Sequence, residues 1–340
     1  MTDKFYDEET RTIYKARLDY AKNKNNVEYW NSIKKFQKNK KWICYDKSLE
    51  LIKKSYADSR EIILFGCGND GFASKETLEM FGVEVSFFCD NNRELQGGSK
   101  YGVKVISPKE LSENHGDAIV LVTTSNHGDV IEKQLLDLNI PKNNVIRLKY
   151  GKLIAGCPEQ YFDVFESDEN EVFIDAGAFD GLTTLQFIKW AKSYRAAYVM
   201  EPYRSAHKYI EKNLKDKKNI YVVNKAAWKD SSTILFGGNE RGASIGGGDE
   251  VIQAIKIDDM VGDNEITFIK MDIEGSEYEA LIGSERTIQK NKPKLAICVY
   301  HKLEDTEKFV HFLEQLVPEY KFALRHYSTC MWETVLYAWV

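Results

Sequence analysis

The stretch FIKMDIEGSE, residues 268–277, sets Lys270, Asp272 and Glu274 at alternate positions behind Phe268. On a strand, alternate residues share a face. Charges on a buried strand are costly unless they are paired or used. Lys270 and Asp272 read as an ion pair, or as working groups at the ligand edge of a sheet. His301 follows ICVY and His326 follows FALR, each after its own apolar run. If those strands run parallel to the others, Asp272, His301 and His326 share one edge. Carboxylate beside imidazole is the make-up of a base for an acceptor hydroxyl, with partners to orient it. It also suits a divalent metal, with Asp272, His301 and His326 as the ligand candidates. Histidines that serve only packing are the third reading, and the first of the three is preferred.

Two glycine turns offer places for a ligand. EVFIDAGAFDG, residues 171–181, runs an apolar strand into Asp175, Gly177, Ala178 and Gly181. A diphosphate site tolerates little negative charge, so Asp175 suits a cationic ligand such as the sulfonium and ammonium of S-adenosylmethionine; a structural turn with Asp175 capping the helix is the other reading. Gly177 lets the chain pass close to that ligand, and Gly181 permits tight packing or an unusual φ. Glu201 ends the next strand, YVMEP, where an acid accepts ribose hydroxyls. That feature reports a nucleoside without specifying a methyl donor. FGCGNDG, residues 65–71, fits GxGxxG through Gly66, Gly68 and Gly71, and Asp90 ends the following strand. This turn suits a diphosphate.

Several elements must position these groups. Residues 1–60 read as helices, with Tyr14, Leu18 and Ala21 on one face and Leu49, Ile52 and Tyr56 on another. Strand and helix then alternate over 61–150, pause at KYGKLIAGCPEQ, and alternate again over 151–340. The expected fold class is α/β. Two Rossmann-like doubly wound domains follow the N-terminal helices, and the C-terminal one ends in an antiparallel pair, the outline of a class I methyltransferase. GGNERGASIGGGDE, residues 237–250, reads as a loop over the acceptor site.

Composition narrows the classes. The 340 residues are 43% hydrophobic and 29% charged with a net charge of −5, which gives no global pull toward nucleic acid or anionic membrane. No apolar run reaches the ~18 residues of a membrane-spanning helix, and the first ten residues lack the apolar centre of a signal peptide. The six cysteines are scattered with no CxxC, which fits reduced thiols in a cytoplasmic protein. The N-terminal helices offer a surface for homodimerisation.

Residues 171–340 resemble the FkbM family of S-adenosylmethionine-dependent O-methyltransferases. The stretches that carry the likeness are FIDAGAFDGLTT, YVMEP, VNKAAW, IDDM, FIKMDIEGSEYEALIG, VYHKLEDT and RHYSTCMWETVLYAWV. The resemblance implies a donor site lined by Asp175, Gly177, Ala178, Gly181 and Glu201, with Asn224 on the adenine side. It implies Lys270, Asp272, Glu274 and His301 near the reaction. Phe179 stands where the family often has Asn. Asp272 is the first choice for the base and His301 the second, since an imidazole titrates near neutrality. Residues 61–150 resemble the small nucleotide-sugar-binding domains that precede sugar-modifying enzymes. That likeness implies a nucleotide-sugar diphosphate at Gly66, Gly68 and Gly71, with Asp90 on a ribose or base. His326, from its place after its strand, is a candidate for contact with the substrate. The expected activity is O-methylation of a hydroxyl on a sugar or a nucleotide-linked sugar. The alternatives are an NAD(P)-dependent nucleotide-sugar oxidoreductase or epimerase, and a non-catalytic nucleotide-binding scaffold.

Overall fold

The computed structural model describes residues 2–237, 244, 245, 248 and 250–340. Most of the glycine-rich stretch at 237–250 therefore lies outside the described residues. The chain is mixed α/β and divides into two units. One comprises Asn25–Pro158 with Tyr327–Met331; the other comprises Met1–Lys24, Glu159–His326 and Trp332–Val340. The first 60 residues are thus not one segment. Helix Glu8–Asn23 belongs to the second unit. Its buried side is Thr10, Ile13, Ala16 and Arg17, one step round from the face that Tyr14 and Leu18 suggest. Among the described residues, no helix is long and apolar enough to cross a membrane.

The first unit holds a six-stranded sheet. Its strands are β1 (Ile62–Phe65), β2 (Phe87–Cys89), β3 (Ser99–Lys100), β4 (Val103–Ile106), β5 (Ile119–Val122) and β6 (Val145–Arg147). The order is β3-β4-β2-β1-β5-β6, parallel except for β3. β1 and β5, IILF and IVLV, are buried at every position. Continuous apolar runs of this kind mark strands covered on both faces. Strand order reverses between β1 and β5, the switch point where open sheets of this kind bind ligands.

The second unit carries a seven-stranded sheet. Its strands are β7 (Glu171–Ala176), β8 (Tyr194–Met200), β9 (Ile220–Val223), β10 (Phe268–Met271), β11 (Lys294–Cys298), β12 (Lys321–His326) and β13 (Thr334–Trp339). The order is β9-β8-β7-β10-β11-β13-β12, parallel except for β13, which runs antiparallel to both neighbours. The expected closing antiparallel pair is β12 with β13. Here the switch point lies between β7 and β10. Phe173 stacks on Phe187 of helix Leu182–Trp190 at 4.2 Å, and Phe268 meets Phe173 at 5.1 Å. This aromatic layer anchors the two strands that carry the site.

Candidate active site

Both switch points use the same device. In the second unit, the turn after β7 places Gly177 at φ +79°, and a Cβ there would lie 1.8 Å from the Asp272 carbonyl oxygen. Only glycine fits. The close approach that requires it is to the end of the neighbouring strand. In the first unit, a Cβ on Gly66 would lie 2.7 Å from the Thr123 carbonyl oxygen. One on Gly71 would lie 2.1 Å from the Gly66 carbonyl, whereas Gly68 faces open space. Asp90 Oδ2 accepts the Cys67 N–H at 2.9 Å and so braces the turn from the next strand.

The charges on β7 and β10 neutralise each other. Asp175 and Lys270 are register partners on adjacent strands and are 0% and 2% exposed. Lys270 Nζ lies 3.0 Å from Asp175 Oδ1. The other Asp175 oxygen accepts from Thr184 at 2.7 Å. Lys270 also donates to the carbonyls of Gly177 at 2.8 Å and Ala176 at 3.3 Å. Sequence pattern suggested Lys270 with Asp272 as a pair and Asp175 as a ligand contact. The register instead puts Asp175 beneath the turn, where it and Lys270 hold the backbone.

Glu201 ends β8 as expected. Its Oε2 accepts the Phe179 N–H at 2.9 Å and its Oε1 accepts the Tyr203 N–H at 2.7 Å. Burial raises its pKa, against the pull of those two backbone donors. Each oxygen keeps a lone pair for a further donor such as a hydroxyl. Ala178 is buried within the turn. Gly181, at φ +78°, opens helix Leu182–Trp190 and packs on Leu214. Asn224 follows β9 at the same edge and is exposed. Phe179 holds φ +46°, a left-handed conformation that Asn adopts more readily than an aromatic residue.

A second cluster stands beside this turn, past the ends of β10 and β11. Asp272 Oδ2 accepts from Tyr161 Oη at 2.9 Å and Oδ1 accepts from Tyr300 Oη at 3.1 Å. His301 Nε2 lies 3.7 Å from Asp272 Oδ1 and 3.6 Å from Glu274 Oε2, while its Nδ1 lies 3.0 Å from Glu277 Oε1. Glu333 approaches from the start of β13 and accepts from Gln160 at 2.7 Å. The strand parity that linked Lys270 to Asp272 and Glu274 ends at Met271. Glu274 sits in the following turn at φ +56°. Tyr161 and Glu333 also hold positive φ, at 76° and 64°. Such strained residues persist where the surroundings over-determine them, commonly at functional sites.

The electrostatics separate the roles. Burial pushes the Asp272 carboxyl up, but the charges of Lys270 and His301 and the Tyr161 hydrogen bond outweigh it and hold the group low. Burial, reinforced by Asp272 and Glu277, raises Glu274 to about 7. Burial lowers His301, yet Glu277, Asp272 and Glu274 carry it up to about 9. The imidazole is therefore cationic at neutral pH. The sequence-based choice of His301 as second base rests on an unperturbed imidazole, and the three carboxylates around it raise it above that value.

The proposed metal trio does not assemble. His326 ends β12, with β13 between it and β11, roughly 10 Å across the sheet. It is fully buried, and its Nδ1 shares a hydrogen bond with Thr334 Oγ1 at 2.8 Å. It shares the edge but not the cluster. Asp272, Glu277 and His301 do bring donor atoms within 4.8 Å of one another. Those atoms already face each other as an ion pair or accept tyrosine hydroxyls. Four members of the cluster escaped the sequence reading. Glu277 falls three residues after Glu274 and Tyr300 adjoins His301, which are weak signals. Tyr161 and Glu333 left none.

Residues 114–324 match the model of the methyltransferase FkbM domain. The chain belongs to the FkbM methyltransferase family. It is an S-adenosylmethionine-dependent methyltransferase. Residues 58–146 also match the C2185-like N-terminal model. The crystal structure of methyltransferase FkbM from Methylobacillus flagellatus KT is similar, with 20% identity, 85% of this chain and 93% of that chain covered, and a TM-score of 0.50. That likeness shows a shared fold. An S-adenosylmethionine-dependent methyltransferase from Aquifex aeolicus matches at 16% identity over 54% of this chain and 89% of its own, TM-score 0.34. Aeropyrum pernix fibrillarin with natively bound S-adenosyl-L-methionine matches at 10% over 51% and 67%, TM-score 0.34. No curated protein matches the chain.

Proposed function

We propose that this FkbM methyltransferase methylates a hydroxyl oxygen, on a sugar or on a sugar carried by a nucleotide or glycan precursor. The observation that carries this reading is the Asp272–His301–Glu274 cluster beside the glycine turn. A hydroxyl must lose its proton as the new bond forms, and a positioned base supplies that step.

The residues present fit a nucleoside-bearing donor. Glu201 would take the ribose hydroxyls on its remaining lone pairs, and the turn at 177–181 would pass beside the donor with Asn224 at the adenine side. When bound, the donor supplies a methyl group already activated on a sulfonium. The chain's part is alignment and proton removal. Glu274, partly exposed and titrating near 7, is matched to accept the acceptor's proton at neutral pH. Asp272 keeps its charge and, held by Tyr161 and Tyr300, offers a fixed acceptor to a second hydroxyl. The His301 cation offsets both carboxylates. The nucleotide-linked form of the acceptor is proposed from a feature of the first unit taken by itself. Its glycine turn leads into helix Asn69–Met80, whose N-terminus has no side-chain cap, and Gly68 faces open space. Such a terminus suits a diphosphate.

The test is to incubate the chain with S-adenosylmethionine and a panel of free sugars and nucleotide sugars, reading S-adenosylhomocysteine release and product mass. A product heavier by one methylene, formed by wild type and not by Glu274→Gln, is expected. Donor binding with no turnover of any hydroxyl acceptor in the panel refutes the reading.

A further inference from the structure

Among the described residues, Glu277 is the one fully buried carboxylate beside His301. It opens helix Glu277–Ile282. Its Oε1 accepts the Ile273 N–H at 2.8 Å and lies 3.0 Å from His301 Nδ1. Its Oε2 reaches neither solvent nor a hydrogen-bond donor. A carboxylate is costly to bury in this way. The buried charge needs a reason. The reason the geometry offers is the ring. Nδ1 meets Glu277 as an ion-pair contact at 3.0 Å and neither ring nitrogen closes a hydrogen bond, while Nε2 lies between Asp272 Oδ1 and Glu274 Oε2 at 3.7 and 3.6 Å. The Ile273 N–H fixes the Glu277 carboxylate in turn. Ile273 lies between Asp272 and Glu274 in the sequence. The ring is therefore referenced to the same turn that carries the two carboxylates it serves.

We propose that Glu277 is a positioning residue for methyl transfer: through Nδ1 it fixes the His301 ring so that Nε2–H faces the Asp272 and Glu274 carboxylates and keeps both aimed at the acceptor. The inference rests on the hydroxyl-methylation reading above and adds a residue to it. No proton passes through Glu277 during the cycle. The division of labour is that of any oriented imidazole: one nitrogen is held so that the other is placed.

Three readouts on the full chain test this. Glu277→Gln is expected to lower kcat about 10- to 100-fold, part of what a positioned base contributes, with the KM for S-adenosylmethionine within about twofold. The Nδ1–H resonance of His301 in the NMR spectrum is expected to shift in the same variant, as the ion-pair partner at 3.0 Å is neutralised. The double variant Glu277→Gln/His301→Asn is expected to be no slower than His301→Asn alone, because Glu277 acts through that ring. Losses that multiply in the double variant overturn the proposal. So does a kcat that falls only in step with S-adenosylhomocysteine affinity and thermal midpoint, the pattern of a merely structural residue. If wild type methylates no hydroxyl acceptor, the functional reading fails and the positioning role fails with it. The NMR signal then shows separately whether Glu277 holds the ring. A His301 Nδ1–H resonance that is the same in wild type and Glu277→Gln overturns the contact itself.

Discussion

Replacing Lys270 with Met should cripple the second unit through Asp175 rather than through catalysis. Lys270 and Asp175 are 2% and 0% exposed and 3.0 Å apart. Methionine fills similar space but removes the cation. Asp175 then keeps only the Thr184 hydroxyl, and the carbonyls of Ala176 and Gly177 lose their shared donor. Breaking one partner of a buried pair typically costs about 3–5 kcal/mol. Against a total stability of about 5–15 kcal/mol, that is a large fraction. Removing the second charge as well should return part of the loss, because a paired desolvation penalty disappears with both ions. Lys270→Met/Asp175→Asn should therefore be more stable than Lys270→Met alone. The assay is urea unfolding followed by tryptophan fluorescence and far-ultraviolet circular dichroism, with each unit's transition fitted separately. Lys270→Met within about 1 kcal/mol of wild type would refute the reasoning, since a typical surface pair is worth no more than that. A double variant worse than the single would refute it too. The same experiment distinguishes the two roles of Asp175. A ligand contact predicts that Asp175→Asn loses S-adenosylhomocysteine binding at unchanged stability, whereas the buried pair predicts that stability falls first.

Three further outcomes follow from the site's electrostatics and geometry. Glu274 is held at about 7 against an ordinary 4.5, so its proton-accepting form accumulates as pH rises through 7. The wild-type kcat profile should climb over that range. The folded state binds that proton more tightly than the unfolded chain, so this group's contribution to stability is present below pH 4.5 and is lost as pH rises toward 7. Urea midpoints of wild type and Glu274→Gln measured from pH 4 to 8 check the sign. Gly177→Ala should cost about 2–5 kcal/mol, combining a left-handed φ of +79° with a Cβ placed on the Asp272 carbonyl. Thermal unfolding and S-adenosylhomocysteine titration measure it, and a variant of wild-type stability would show that the turn relaxes freely.

Local pattern alone determined much of this protein. Apolar runs such as EVFIDA and FIKM announce buried parallel strands, and the glycine turns behind β1 and β7 mark the two switch points. These signals were legible because strand burial and positive φ are set by neighbouring residues. Glu201, Asp272, Glu274 and His301 were legible for the same reason, since each follows closely on the end of a strand that its own segment defines. Tertiary structure alone decided which charge meets which. Strand register paired Lys270 with Asp175, 95 positions away in the chain, and left Asp272 to the tyrosines. Tyr161 reaches Asp272 across 111 residues, a contact no spacing encodes. His326 lies at the predicted edge, but β13 inserts between it and the cluster, and sheet order is invisible in a linear pattern. The protonation of His301 was likewise out of reach, because it depends on carboxylates that converge only when the DIEGSE turn folds over the end of β11.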